Sequence, residues 1–238
     1  MEHVSSTPAR RYGGVSATDR KLERRRRLTD AALDVMAADE WRSATVEQIC
    51  SSAGLNKRYF YEGFAGLDEL ASAVVDDIAD EVRDATLAAF AVVADQPLER
   101  QALASVDALV RVLVRDPRRA RVLLSGFAAT TSLGQHREEV LSGLTSVLTR
   151  QARAVHGVEL KRDPLAQITP AFVVGGTAEA ILAYLDGTAR ITLDQLVTEL
   201  TTLWLITGNG AAEVARARLG RRPESEPGSD VRDQHRNG

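Results

Sequence analysis

Apolar residues recur along most of the chain at the three- and four-residue spacing of amphipathic helices. The first stripe predicts a helix over about residues 18–38 and falls at Leu28, Ala31, Ala32, Val35 and Met36. Strand signals are absent, because no segment sustains an alternation of apolar and polar residues and no Asn-Gly turn joins two β-branched runs. The pattern therefore predicts an all-α fold.

Two short helices joined by a tight turn are predicted between residues 45 and 62. Thr45 is a favoured N-cap residue, and Gln48 three positions later completes a capping-box pattern. Gly54 can adopt the positive φ that a tight turn needs, and Asn56 is a strong N-cap for the second helix. Two helices of this length around a glycine turn are typical of a helix-turn-helix, which with the first helix makes a three-helix domain over residues 18–66.

Six longer helices are predicted to form a larger C-terminal domain over residues 67–215. They cover about residues 68–94, 97–114, 117–130, 134–155, 164–185 and 193–215. Residues 1–17 are rich in Ser, Gly, Pro and Arg and are predicted to be a mobile basic arm. Residues 216–238 are polar with scattered Pro and Gly and are predicted to be a disordered tail.

Positive charge is concentrated near the N-terminus, although the 238-residue chain has a net charge of −3. Residues 10–27 contain eight Arg or Lys and two acidic residues, a net charge of +6. Such a segment either attracts a polyanion or is a solvated basic tail.

Several classes of protein are disfavoured by the composition. The single cysteine, Cys50, cannot form an internal disulfide, fits a reducing cytoplasmic setting, and is expected to be a small buried apolar residue. The N-terminus lacks the apolar core of a secretory signal, and no run of 18 uncharged apolar residues predicts a membrane span. His136 and Glu139 form at most half of a metal site, and there is no glycine-rich phosphate loop. We therefore expect no enzyme activity, no cofactor and no metal.

Aromatic residues are few, but four of the eleven lie within six residues, at Tyr59, Phe60, Tyr61 and Phe64. Lys57 and Arg58 come directly before them. Phe60 and Phe64 are four residues apart and share one helical face, which we predict to be buried. Tyr59 and Tyr61 are predicted to lie partly on the surface beside the two cations.

The segment TVEQICSSAGLNKRYFYEGFAGLDEL, residues 45–70, resembles the DNA-binding region of TetR-type transcriptional regulators. The matching positions are Thr45, Val46, Ile49, Ala53, Gly54, Leu55, Tyr61, Phe64 and Leu70. The resemblance is specific over about residues 25–72 and only architectural beyond them. Three positions depart from the pattern: Glu40 replaces a glycine, Gly63 an imidazole, and Leu67 a lysine that contacts phosphate.

The resemblance implies a homodimer that binds palindromic double-stranded DNA through its recognition helix. The major groove of DNA admits one helix, whose donors meet base edges and phosphates, and Arg58 can read guanine through two hydrogen bonds. The expected DNA-binding residues are Thr45, Asn56, Lys57, Arg58, Tyr59, Tyr61, Arg24 and Arg25. The alternative for Arg58 is a solvated surface charge, and for Tyr61 a packing role.

The resemblance also implies that residues 67–215 bind a small-molecule effector and dimerise through the last two long helices. The apolar faces and small residues of those helices fit a dimer interface, although an ordinary core would have the same composition. Candidate ligand contacts are Phe90, Phe127, Thr130, Thr131, Phe172 and Glu179, each of which could instead be plain core or surface.

Together these features predict a one-component regulator, expected to be a repressor that an effector of unknown identity releases from DNA. The alternative is a helical dimeric adaptor or ligand-binding protein that does not bind DNA. Charge does not separate the two, because residues 1–72 contain eleven basic and eleven acidic residues.

Overall fold

The computed structural model describes residues 16–125, 131–156 and 163–220, and within these ranges every regular secondary-structure element is a helix. The helices are α1 (Ala17–Ala37), α2 (Val46–Ala53), α3 (Lys57–Tyr61), α4 (Leu67–Val92), α5 (Leu98–Arg115), α6 (Pro117–Leu124), α7 (Thr131–His156), α8 (Pro164–Leu185) and α9 (Leu193–Gly220). A short 3-10 helix, Trp41–Ser43, separates α1 from α2. The prediction of an all-α fold is confirmed.

Helix α1 begins at a capping box. The Ser16 hydroxyl accepts the Asp19 N–H at 3.0 Å, and the Asp19 carboxylate accepts the Ser16 N–H at 3.2 Å. The helix ends in a turn at Asp39, whose φ of 59° is left-handed, a conformation that Asp tolerates better than most residues. Glu40, at the position where the family pattern has glycine, has an ordinary φ of −98° and requires no glycine.

Helix α4 connects the N-terminal helices to the rest of the bundle. It packs against α1, α5, α6 and α7, while α9 packs against α5 and α8. One apolar core therefore runs without interruption from α1 to α9, through buried residues such as Leu28, Leu70, Val106 and Leu200. The helix-turn-helix thus shares its apolar core with the larger C-terminal part of the chain.

Two helix ends differ from the predictions. Helix α6 ends at Leu124 instead of residue 130, because Ser125 has an extended backbone with ψ of 147°. Helix α9 continues to Gly220, so residues 216–220, predicted to belong to a disordered tail, are helical. The extension is held from the side, since Ala215 is buried and Arg218 contacts the buried Asp163 at 3.4 Å. Residues 16 and 17, predicted to belong to the mobile arm, instead cap and begin α1, and residues 1–15 and 221–238 lie outside the described residues.

Helix α8 is unusually apolar for its exposure. It is 22 residues long, and its best window has a mean hydropathy of 1.5 with 17% of its residues buried. By length and composition alone it could cross a membrane, a test that core and interface helices also pass. Its outer face leaves Ile168 and Phe172 exposed.

Candidate nucleic-acid interface

Local hydrogen bonds build the α2–turn–α3 unit as its sequence predicts. The Thr45 hydroxyl accepts the Gln48 N–H at 3.2 Å, and Gln48 Oε1 accepts the Thr45 N–H at 2.9 Å. Gly54 has a left-handed backbone with φ of 60° and ψ of 40°. The Asn56 side chain accepts the Tyr59 N–H at 3.1 Å and caps α3. Each of these interactions spans three or four residues, so the turn geometry is determined locally.

Phenylalanines hold α3 against the body of the protein. Phe60 and Phe64 are buried, as predicted, together with Ile49 of α2. The ring of Phe60 lies edge-on to Tyr61, with centroids 5.2 Å apart, and tilted against Phe64 at 6.0 Å. Burial of this face orients the opposite face of α3 toward solvent.

The outward face of α3 carries cations and phenols. The side chain of Arg58 is 84% exposed, and Tyr61 is 61% exposed. Lys57 is also exposed, and Tyr59 is partly covered by a residue of α1. A flat or grooved polyanion could therefore reach this face without any rearrangement of the backbone.

Both cations of α3 already have acidic partners within the protein. Lys57 Nζ donates to Glu47 Oε2 at 2.9 Å, and Arg58 Nε donates to Glu62 Oε1 at 3.1 Å. The hydrogen bond from Lys57 lowers the pKa of Glu47 and raises that of the lysine, so both groups stay ionised at neutral pH. DNA binding would replace or reorganise these exposed ion pairs.

The two arginines of α1 that were expected to contact DNA, Arg24 and Arg25, also pack against aromatic rings. The Arg24 guanidinium lies 4.5 Å from the centroid of the Tyr59 ring, and that of Arg25 lies 4.5 Å from the centroid of Phe64. These cation–π contacts join α1 to α3 and its following turn. No sequence pattern indicates this pairing, because the partners are about 35 to 40 residues apart in the chain.

One position that departs from the family pattern, Leu67, lies at the start of α4, shortly after α3. Leu67 is the first residue of α4 and packs against the core, so its side chain is unavailable for phosphate. Next to it, Gly66 is the N-cap of α4, and a side chain there would meet no atom within 4 Å. Cys50 is buried, as predicted, and burial raises the pKa of its thiol.

A second feature is a cavity of about 90 Å³ in the C-terminal bundle. Its walls come from α4 to α9 and are mainly aliphatic, including Val82, Leu109, Leu113, Leu123, Leu141 and Ile181. Its polar side chains are already satisfied. Thr86 donates to the Val82 carbonyl at 2.7 Å, and Thr177 accepts the Trp204 indole N–H at 2.7 Å. The wall therefore offers a ligand apolar contact and few hydrogen bonds.

Three of the six predicted ligand contacts lie away from this cavity wall. Phe172 and Glu179 are exposed on α8, and Phe90 is half-buried further along α4. Their role as ligand contacts stays a prediction. Thr131 begins α7, but its side chain is not described, and Phe127 and Thr130 lie outside the described residues. Sequence reasoning missed the wall because aliphatic residues at helical spacing resemble any core.

No metal site competes with these two features among the described residues, which contain no cluster of three or more candidate ligands. His136 was considered as half of a site with Glu139. Its Nε2 instead lies 2.8 Å from Asp76 Oδ1 of α4. That contact joins α7 to α4.

No family model matches this chain. The HTH-type transcriptional regulator BetI of Rhizobium meliloti (strain 1021) is 29% identical over 164 residues, which are 69% of this chain and 75% of that protein. A crystal structure described as a TetR-family transcriptional regulator, from Syntrophomonas wolfei, superposes with a TM-score of 0.67 at 12% identity and covers 79% of this chain and 96% of its own.

The chain has the fold of TetR-family transcriptional regulators. The transcriptional regulator FadR of Bacillus subtilis, solved in complex with stearoyl-CoA, also superposes, with a TM-score of 0.59 at 15% identity. That match covers 75% of this chain and 96% of FadR. The similar proteins are transcriptional regulators, a class that is not enzymatic. Within the TetR fold, α1 to α3 correspond to the helix-turn-helix domain and the later helices to the C-terminal domain.

Proposed function

We propose that this protein is a cytoplasmic one-component transcriptional regulator that binds palindromic DNA as a homodimer and is released by an apolar small molecule. We expect it to act as a repressor. One observation supports the proposal above all others. The buried pair Phe60 and Phe64 turns the cations and phenols of α3 toward solvent, on a helix of a size that fits the major groove.

On DNA, the residues of α3 take different roles. Arg58 reads a guanine, because its guanidinium extends furthest into solvent, while Lys57 and the phenols of Tyr59 and Tyr61 meet phosphates or a thymine methyl. Asn56 and Thr45 lie at the exposed N-termini of α3 and α2, where backbone N–H groups favour phosphate. Arg24 and Arg25 of α1 pack against the rings of Tyr59 and Phe64 and add positive charge.

The outer faces of α8 and α9 form the dimer interface in this proposal. Large apolar side chains are exposed there at helical spacing, at Ile168, Phe172, Leu203, Ile206 and Val214. Exposed Gly175 and Gly176 on α8 allow a second helix to approach closely. A second copy of the chain carries the same faces, so a two-fold axis covers both at once. The axis also sets the two copies of α3 about one turn of DNA apart, roughly 34 Å.

An apolar effector fits the cavity better than a polar one. The threonines of its wall already hold hydrogen bonds, and Arg83 is engaged by Asp80 at 2.6 Å and by Asp84 at 3.1 Å. A polar ligand would lose its bonds to water without replacement. The stearoyl-CoA bound to FadR has a long acyl chain, which makes acyl compounds the first molecules to test here.

Ligand binding reaches the DNA-binding domain through α4 and α6. Val82 and Thr86 of α4 and Leu123 of α6 line the cavity, and both helices pack against α1. Arg118 of α6 donates to Asp34 of α1 at 2.6 Å and to Asp30 at 3.1 Å. A ligand that prefers one arrangement of these helices shifts the separation of the two α3 helices, and DNA affinity falls through linkage.

Selection of bound fragments from random duplex DNA tests the proposal. We expect enrichment of two-fold symmetric sites with half-sites about one helical turn apart. Arg58→Ala should cost about 1–3 kcal/mol and relax the preference at one position of each half-site. Arg100→Ala, an exposed cation of α5 remote from α3, is the matched control and should change neither. Failure to enrich any sequence under low-salt conditions would favour the adaptor alternative.

A further inference from the structure

The acidic residue Glu62, immediately after α3, occupies a central position among the groups expected to contact DNA. Its Oε1 accepts the Nε–H of Arg58 at 3.1 Å, and its Oε2 lies 3.8 Å from Nη2 of Arg24. Arg24 is itself half-buried against the ring of Tyr59. The carboxylate therefore lies between a restrained arginine of α1 and an exposed arginine of α3.

The contact with Glu62 uses only part of the Arg58 guanidinium. The bond is made by Nε, and neither Nη group has a hydrogen-bond partner among the described residues. Two parallel donors at the outer edge of an arginine are what a guanine O6 and N7 accept. Lys57 differs, because its ammonium has three donors on a single nitrogen, one of which bonds to Glu47, and presents no planar pair of donors. The two ion pairs thus leave Arg58, but not Lys57, with a free planar fork.

We propose that Glu62 is a positioning residue that makes Arg58 specific for a base, an inference that rests on the proposed DNA-binding function. An exposed arginine samples many rotamers, and ordering it on DNA costs entropy. A partner at Nε, itself restrained by Arg24, reduces the number of rotamers before DNA arrives. The same carboxylate repels phosphate, so it penalises contact with the backbone while a guanine edge still satisfies the fork.

Glu47 supplies the matched control for this inference. Like Glu62, it is an exposed glutamate that pairs with a cation of α3, but its partner is a lysine, which acts on phosphate as a point charge. Removal of Glu47 should therefore strengthen binding to every duplex alike. Removal of Glu62 should instead weaken discrimination between duplexes.

The test compares Glu62→Ala, Glu62→Gln and Glu47→Ala on two duplexes. One carries the sequence selected by the wild-type protein, and the other has the base pair read by Arg58 replaced. Glu62→Ala should lower the ratio of the two affinities by about tenfold, the lower range for one bidentate contact. Glu62→Gln should give an intermediate ratio, because the amide oxygen still accepts the Nε–H. Glu47→Ala should leave the ratio unchanged.

Two further measurements show whether the effect of Glu62→Ala acts through Arg58 and not through stability: the same affinity ratio in an Arg58→Ala background, and the unfolding midpoint of each variant. Glu62→Ala should not change the ratio further once Arg58 is absent, and the midpoints of all variants should agree. The inference is overturned if Glu62→Ala raises both affinities equally, as Glu47→Ala does, or if Gln and Ala behave alike at position 62. If the wild-type protein selects no sequence, the proposed DNA-binding function itself fails. If the wild-type protein selects a sequence but Glu62→Ala keeps the wild-type affinity ratio, only the inference about Glu62 fails.

Discussion

Replacement of Phe60 by alanine tests the physical basis of the proposed DNA-binding surface. Phe60 is fully buried, and it holds a helix of only five residues, α3, against α1 and α2. An isolated helix of this length has almost no stability in water, because one nucleation cost is offset by few hydrogen bonds. The Asn56 cap alone cannot retain it. The orientation of α3 therefore depends on the burial of this ring.

The expected loss follows from that burial. Truncation of a fully buried phenylalanine to alanine costs about 3–5 kcal/mol, which includes the lost transfer energy and the cavity that remains. The edge-on contact with Tyr61 and the tilted contact with Phe64 place this site toward the upper part of that range. A domain with a total stability of about 5–15 kcal/mol would lose a large fraction of it. We expect α2 and α3 to unfold before the C-terminal bundle.

The measurement is urea unfolding followed by circular dichroism at one protein concentration, with amide hydrogen exchange for residues 46–64. Tyr61→Ala is the control, because its neighbouring ring is 61% exposed and should cost about 1 kcal/mol or less. A loss below about 1 kcal/mol for Phe60→Ala, or equal losses for the two variants, would refute the argument. Unchanged exchange in residues 46–64 would refute it as well.

Three further predictions concern the turn, an ion pair and the dimer face. Gly54→Ala should lower the stability by about 1–2 kcal/mol, since φ at Gly54 is left-handed and a Cβ there would lie 2.7 Å from Nη2 of Arg27. Gly63→Ala should be nearly neutral in the same denaturation assay, because its φ is not left-handed and its Cβ would make only an ordinary contact, 3.7 Å from the Phe60 carbonyl oxygen. The hydrogen bond from Arg118 lowers the pKa of Asp116, so this pair stabilises the fold above about pH 4. The stabilisation is lost as the pH falls through the lowered pKa. Asp116→Asn can still cap α6, and it should reduce the dependence of the unfolding free energy on pH in the acid range. Ile206→Glu should convert the proposed dimer to monomer in analytical ultracentrifugation, and a monomeric wild-type protein would contradict the proposed interface.

Much of the DNA-binding unit could be predicted from sequence because its determinants are local. The capping box of Thr45 and Gln48, the turn at Gly54 and the cap at Asn56 each involve residues within three or four positions of one another. The spacing of Phe60 and Phe64 identifies the buried face by the same logic. The helix count and most helix boundaries follow from the period of the apolar residues for the same reason.

The environment of that unit was decided by tertiary structure. Arg24 stacks on Tyr59, and Glu62 contacts arginines of two helices, through pairings that no sequence pattern indicates. Opposite charges in two helices attract only when packing brings them within a few ångströms, and that distance is a property of the fold. The α9 extension to Gly220 likewise depends on a lateral contact, between Arg218 and the buried Asp163.

The sequence by itself thus determined that the chain is helical, where α2 and α3 begin and end, and which side of α3 is buried. Only the tertiary structure decided which apolar faces line a cavity and which face outward. Phe172 and Ile181 lie on the same apolar helix, yet one is exposed and the other is buried on the cavity wall. The physical reason is that burial depends on what another helix supplies opposite a residue, whereas capping and periodicity depend only on its neighbours in the chain.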